Sequence, residues 1–117
     1  MRGNRYLTKK EQFQSVYRSG GNWSDNNLVI RALPNGLEIS RFGITVSRRV
    51  GKAVIRNKFK RLVREIIRET SIKPGFDIVF IARVVVAGAG YTAVKRSLEE
   101  LLARAGLIMG EYEETSS

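Results

Sequence analysis

The stretch Arg48 to Arg68, RRVGKAVIRNKFKRLVREIIR, decides how this chain folds and what it faces. Stepped at 100° per residue, Ile55, Phe59, Leu62, Val63, Ile66 and Ile67 fall in one arc, the apolar stripe of a helix laid on a core. Asn57, Lys60, Arg61, Arg64 and Arg68 fall on the opposite arc. Nine residues of the stretch are Lys or Arg, and Glu65 is its only acid. A helix face in water normally mixes both signs, because opposite charges at i,i+4 stabilise it. Here the cations repel one another with almost no internal relief. A plain solvated face leaves that cost unexplained, whereas a polyanion lying on the helix would remove it. Gly51, just ahead of the helix, lets the backbone turn or approach another chain closely.

The remaining composition narrows the class. A chain of 117 residues is expected to form one domain, 1–117, with a core of its own. Lys and Arg number 21 against 11 Asp and Glu, a net charge of +10, and the hydrophobic content of 43% is that of a globular protein. The imbalance points to nucleic acid ahead of an anionic membrane. The chain has neither Cys nor His. Disulfides, thiolate metal sites and the commonest general base are therefore excluded. Asp occurs only at positions 25 and 77, and no local spacing of carboxylates suggests a metal site. Catalysis by the protein alone is not expected. The opening MRGNRYLTKK lacks the apolar segment of a signal peptide, and the apolar run Val84 to Val94 holds two Gly and is too short for a bilayer. The expectation is a soluble, cytoplasmic protein with no membrane partner.

In chain order, residues 1–7 form a basic arm, expected to be irregular. Thr8 as N-cap and Glu11 reaching back suggest a capping box, opening a helix that runs to about Arg18 and stops at Ser19-Gly20-Gly21. Phe13 and Tyr17 sit at i,i+4 on that helix, with Val16 beside them. Pattern alone favours a core stripe for the two rings, and an exposed aromatic edge on which unstacked bases lie is the other reading. Leu28 to Leu33 alternates as a strand, with Val29 and Arg31 on one face. Pro34-Asn35-Gly36 predicts a hairpin turn into Leu37 to Ser40. A further strand is expected over Arg41 to Ser47, with Thr45 and Ser47 on one face. After the basic helix and the breaker at residues 71–75, Phe76 to Arg83 predicts a strand central in the sheet. Val84 to Gly90 suggests a loop whose valines have no evident use. A last helix is expected from about Thr92 to Ala105, with Val94, Leu98, Leu101, Leu102 and Ala105 inward and Gly106 at its end. Residues 110–117 form an acidic tail. The order α-β-β-β-α-β-α defines an α+β fold, a sheet packed by helices.

The run from Arg41 to Glu65, RFGITVSRRVGKAVIRNKFKRLVRE, resembles the signature of the bacterial ribonuclease P protein subunit family. The likeness extends to the Phe13-Gln14-x-Val16-Tyr17-x-x-Gly20 helix, the Asp77-Ile78-x-x-x-Ala82-Arg83 strand and the Leu-rich closing helix. It implies that family's single-domain α-β sandwich, with an uncommon left-handed β-α-β crossover through the basic helix where general rules predict the right-handed one. It also implies a protein cofactor of a catalytic RNA, the pair removing the 5′ leader from precursor tRNA and leaving a 5′-phosphate on the tRNA.

Carried over by position, Arg48, Arg49, Gly51, Lys52, Arg56, Asn57, Lys58, Lys60, Arg61, Arg64 and Arg68 would contact the catalytic RNA. Phe13, Tyr17, Val29, Arg31, Thr45 and Ser47 would form a cleft for the single-stranded leader, which reverses the core reading of the two rings. Mg²⁺ would be held mainly by RNA phosphates. Three positions depart from the pattern. Lys58 stands where Arg would give bidentate phosphate contacts. Arg31 replaces an aromatic residue of some members, which favours a phosphate contact over stacking, and the segment after Arg83 is apolar. The competing readings are a non-catalytic binder of structured RNA, a DNA-binding helix and a protein-only nuclease. The second lacks a helix-turn-helix partner, since a strand precedes the basic helix.

Overall fold

The apolar stripe of the basic helix finds the core that its periodicity requires. The computed structural model describes residues 5–109. In it the elements follow as α1 (Lys10–Ser19), β1 (Gly21–Ser24), β2 (Leu28–Pro34), β3 (Arg41–Thr45), α2 (Ala53–Glu69), β4 (Phe76–Ala82) and α3 (Tyr91–Arg104), with short 3-10 turns at Arg48–Val50 and Val84–Gly88. The order of helices and strands is the expected one. The strands form a single sheet in the order β1-β2-β4-β3. β1 pairs antiparallel with β2, and β2 with β4, whereas β3 and β4 are parallel. α2 is thus the crossover that carries the chain from β3 to β4, and β4 is an inner strand, as its continuous apolar run implies.

Alternation along the strands divides the side chains between two faces. Leu28, Ile30, Phe42, Ile78 and Phe80 point to one face, where they pack with Phe59, Val63, Ile66 and Ile67 of α2 and with Val94, Leu98, Leu101 and Leu102 of α3. Ala105 of the expected stripe is only half-buried. The Phe42 and Phe80 rings stack there, 6.2 Å between centroids. On the other face, Val79 packs with Val16 of α1 and with Leu7. α1 therefore lies across the sheet from α2 and α3. It sits close. A side chain at Gly43 would run into the Phe13 ring, so glycine on β3 is what allows that ring to settle on the sheet.

Several expectations are corrected. The hairpin is β1–β2, not Leu28–Leu33 with Leu37–Ser40. Gly21–Ser24 is too short and polar to stand out, and its partner strand supplies the pairing. Its turn is fixed by Asp25, whose Oδ1 accepts from the amides of Asn27 (2.8 Å) and Leu28 (3.0 Å). Leu37–Ser40 is not a strand, because β4 occupies the edge of β2 that this segment would have paired with. The cap of α1 falls one residue later than expected. Gln12 Oε1, not Glu11, accepts from the amides of Thr8 and Lys9 (both 2.9 Å). Part of the N-terminal arm is ordered by the sheet: Tyr6 bridges Phe42, and the Leu7 amide donates to the Phe42 carbonyl. β3 stops at Thr45, short of Ser47. Val84–Gly88 is a 3-10 turn rather than an open loop, anchored by buried Val86. Residues 1–4 and the acidic tail 110–117 lie outside the described residues.

Candidate nucleic-acid interface

α2 begins under constraint. Gly51, φ 158° and ψ −171°, occupies a backbone region that is essentially glycine's, and a Cβ there would come within 2.9 Å of Ile55 Cδ1. The Ser47 hydroxyl accepts from the Arg49 amide (3.3 Å), holding the 3-10 turn that presents Arg48 and Arg49 to solvent. Lys52 occupies the N-cap without a side-chain acceptor, and the first turn of α2 holds no acid. The positive end of the helix dipole therefore faces outward beside Arg48, Arg49 and Lys52, an arrangement that favours an anion.

Along the helix, Asn57, Lys58, Arg61, Arg64 and Arg68 are exposed, and Lys60 is half-buried. Among the described residues none of these cations has a carboxylate within ion-pair distance; the two pairs found are Arg41–Asp77 and Lys95–Glu69. Glu69 is turned away from the cationic arc. Its carboxylate takes the Tyr91 hydroxyl (2.7 Å) and faces Lys95 (3.8 Å), and this hydrogen bond helps push the Tyr91 phenol up to about 12. Arg56 differs from its neighbours. Its Nε donates to the Gly51 carbonyl (3.1 Å), so the side chain braces the start of α2 and only its remaining N–H groups are available to a partner.

The expected cleft residues meet on the α1 side of the sheet. Tyr17 is 38% exposed and so stands outside the core stripe, while half-buried Phe13 is shared between core and edge. Their rings lie 6.4 Å apart at 46°. The Tyr17 hydroxyl is 3.1 Å from Thr45 Oγ1, which ties α1 to β3. Arg31 Nη2 donates to the Tyr17 carbonyl (2.7 Å), and its buried Nε has no partner. Val29 and Thr45 come together through β4, because both pair in register with Ile81. Ile81 is half-buried in this row and was missed in the sequence. Alternation with Val79 could have placed it, but a continuous apolar strand does not say which of its faces stays half open. Ser47 lies past the end of β3, with its hydroxyl committed to the 3-10 turn.

Among the described residues, Asp77 and Asp25 are committed to partners of their own. Both Asp77 oxygens are taken by Arg41 (2.9 and 2.8 Å), and Oδ1 also accepts from Asn35 (2.9 Å). Asp25 is engaged by its own turn. No group of three or more potential ligands occurs among the described residues. No helix among them is long and apolar enough to cross a membrane.

Fold and site define a small α+β domain with a half-open aromatic cleft on one side of its sheet and, on the other, a cationic helix whose exposed cations have no carboxylate partner among the described residues. The Ribonuclease P family model matches residues 1–106. The ribonuclease P protein component of Dehalococcoides mccartyi is 42% identical over 117 residues, covering all of this chain and 98% of that protein. The RNase P protein of Staphylococcus aureus superposes with a TM-score of 0.82 at 31% identity, covering 89% of this chain and 97% of the other. That of Thermotoga maritima gives 0.79 at 36%, covering 85% and 96%. The chain belongs to the ribonuclease P protein family. Membership carries a role in the ribonuclease P complex, alongside its RNA subunit, and through it in tRNA processing.

Proposed function

We propose that the protein works in the cytoplasm as the RNA-binding, non-catalytic subunit of ribonuclease P. The exposed arc of α2, with Arg48, Arg49 and Lys52 at its head, holds the catalytic RNA. The cleft of Tyr17, Phe13, Arg31, Val29, Ile81 and Thr45 holds the single-stranded leader of precursor tRNA. The observation that carries this reading is the row of α2 cations that have no carboxylate partner among the described residues, set on the layer opposite the cleft. One small domain can then lie between two RNA segments. Arg31 suits a leader phosphate, since one hydrogen bond positions its guanidinium beside Tyr17, while the Tyr17 ring offers a surface for a base. The Mg²⁺ that phosphodiester hydrolysis requires is held by the RNA, and the protein contributes neutralised charge and leader affinity.

The test is cleavage of precursor tRNA at low Mg²⁺ by the protein alone, a bacterial ribonuclease P RNA alone, and the two together. Cleavage appearing only in the mixture supports the reading. Tight RNA binding without any gain in cleavage would favour a plain structured-RNA binder, and cleavage by the protein alone would overturn the division of labour.

A further inference from the structure

The three most exposed large apolar side chains among the described residues are Val54 (73%), Val85 (62%) and Val84 (50%). Neither the core nor the leader cleft uses them. Val54 lies outside the buried stripe of α2, and of the valine run at 84–86 only Val86 is buried. Val84 and Val85 share one 3-10 turn, and Val54 lies in the first turn of α2, the helix on which that turn packs. The same 3-10 turn packs against the Arg48–Val50 turn and against α2. A shallow groove between them is lined by Ile55, Phe59 and Leu62 of α2, by Val86 and Ala89, and by Lys58. The chain segments that carry this apolar surface hold charge of one sign. No acid occurs between Glu38 and Glu65, nor between Asp77 and Glu99, whereas Arg48, Arg49, Lys52, Lys58 and Arg83 all do.

We propose that Val54, Val84 and Val85 extend the catalytic-RNA interface as its apolar part, packing on ribose and base surface of the same RNA whose phosphates lie on α2. This rests on the reading of α2 as the RNA-binding face. The cations of these segments suit a polyanion, and continuity with the α2 cations makes that polyanion the RNA already engaged there. Structured RNA offers the complementary surface, since its wide, shallow groove exposes ribose edges and its loops splay bases out of the stack. Cations supply attraction that salt screens, while buried valines supply attraction that salt leaves alone.

That difference is the test. Val54→Ser, Val84→Ser and Val85→Ser are combined, and binding of a bacterial ribonuclease P RNA transcript is measured from low to high salt. The expected result is roughly tenfold weaker binding at every salt concentration, with the slope of log K against log salt unchanged and Tm unchanged. Unchanged affinity would overturn the proposal, as would a loss confined to low salt. Should the triple variant prove unstable, Val85→benzoylphenylalanine gives a second measurement: photocrosslinks to the RNA are expected, and crosslinks only to a second copy of the chain would overturn the proposal in favour of self-association. A wild-type protein that fails to bind the RNA would instead remove the reading of α2 itself.

Discussion

Arg61 is exposed on α2, opposite the buried stripe, with no carboxylate in ion-pair range among the described residues. Removing it should cost the fold less than about 0.5 kcal/mol. Its loss should instead weaken RNA binding and lower the salt dependence of log K by about one unit. Filter binding across a salt series, with a melting curve beside it, measures both, and a variant that unfolds would contradict the assignment of faces. Asp25 is the opposite kind of residue, charged but structural. Burial acts to raise its pKa, but the amide of Leu28, the Ser97 hydroxyl, the amide of Asn27 and the charge of Arg104 outweigh it, so its carboxyl lies below the ordinary value. A depressed folded pKa stabilises the protein above the unfolded value near 3.8, and the contribution is lost as pH falls through the folded one. Asp25→Asn keeps an oxygen acceptor but does not titrate. It should therefore lose less stability than the wild type between pH 5 and about pH 2, as read from urea midpoints.

At the scale of elements, the start of α2 joins folding to binding. Gly51 holds a backbone shape that other residues avoid, against Ile55, and its carbonyl takes the Arg56 side chain. Gly51→Ala should destabilise the protein by about 1–3 kcal/mol. It should also weaken RNA binding at temperatures where the variant is fully folded, because Arg48, Arg49 and Lys52 are aimed by this turn. Thermal melts and binding at one low temperature separate the two effects. The periodicity of α2 and α3 showed where these helices lie and which face is buried, since a 3.6-residue repeat of Ile, Leu and Val leaves little choice. Gly21–Ser24 carried no such signal. A four-residue edge strand of Gly, Asn, Trp and Ser is held by its neighbour, not by its own pattern.

For the whole molecule, the decisive contact is Asp77 with Arg41. The paired side chains are 8% and 24% exposed, and the same carboxylate holds Asn35 in the β2–β3 connection. One acid thus ties together β3, β4 and the segment that was expected to be a hairpin turn. Asp77→Ala should cost about 2–4 kcal/mol, because Arg41 and Asn35 lose their acceptor where water has little access. Chemical denaturation measures that loss. The sequence by itself determined the helices, the one-sided charge of α2, the inner position of β4 and, through dense motifs, the family. These are local or compositional properties, written in residue spacing. Tertiary structure alone decided that β4 inserts between β2 and β3, that Ile81 brings Val29 and Thr45 into one row, and that Arg56 turns back to Gly51. It also decided that three valines stay outside the core. Strand neighbours are chosen by long-range pairing and burial, in which residues some 36 to 54 positions apart compete for the same edge, and no local pattern records which of them wins.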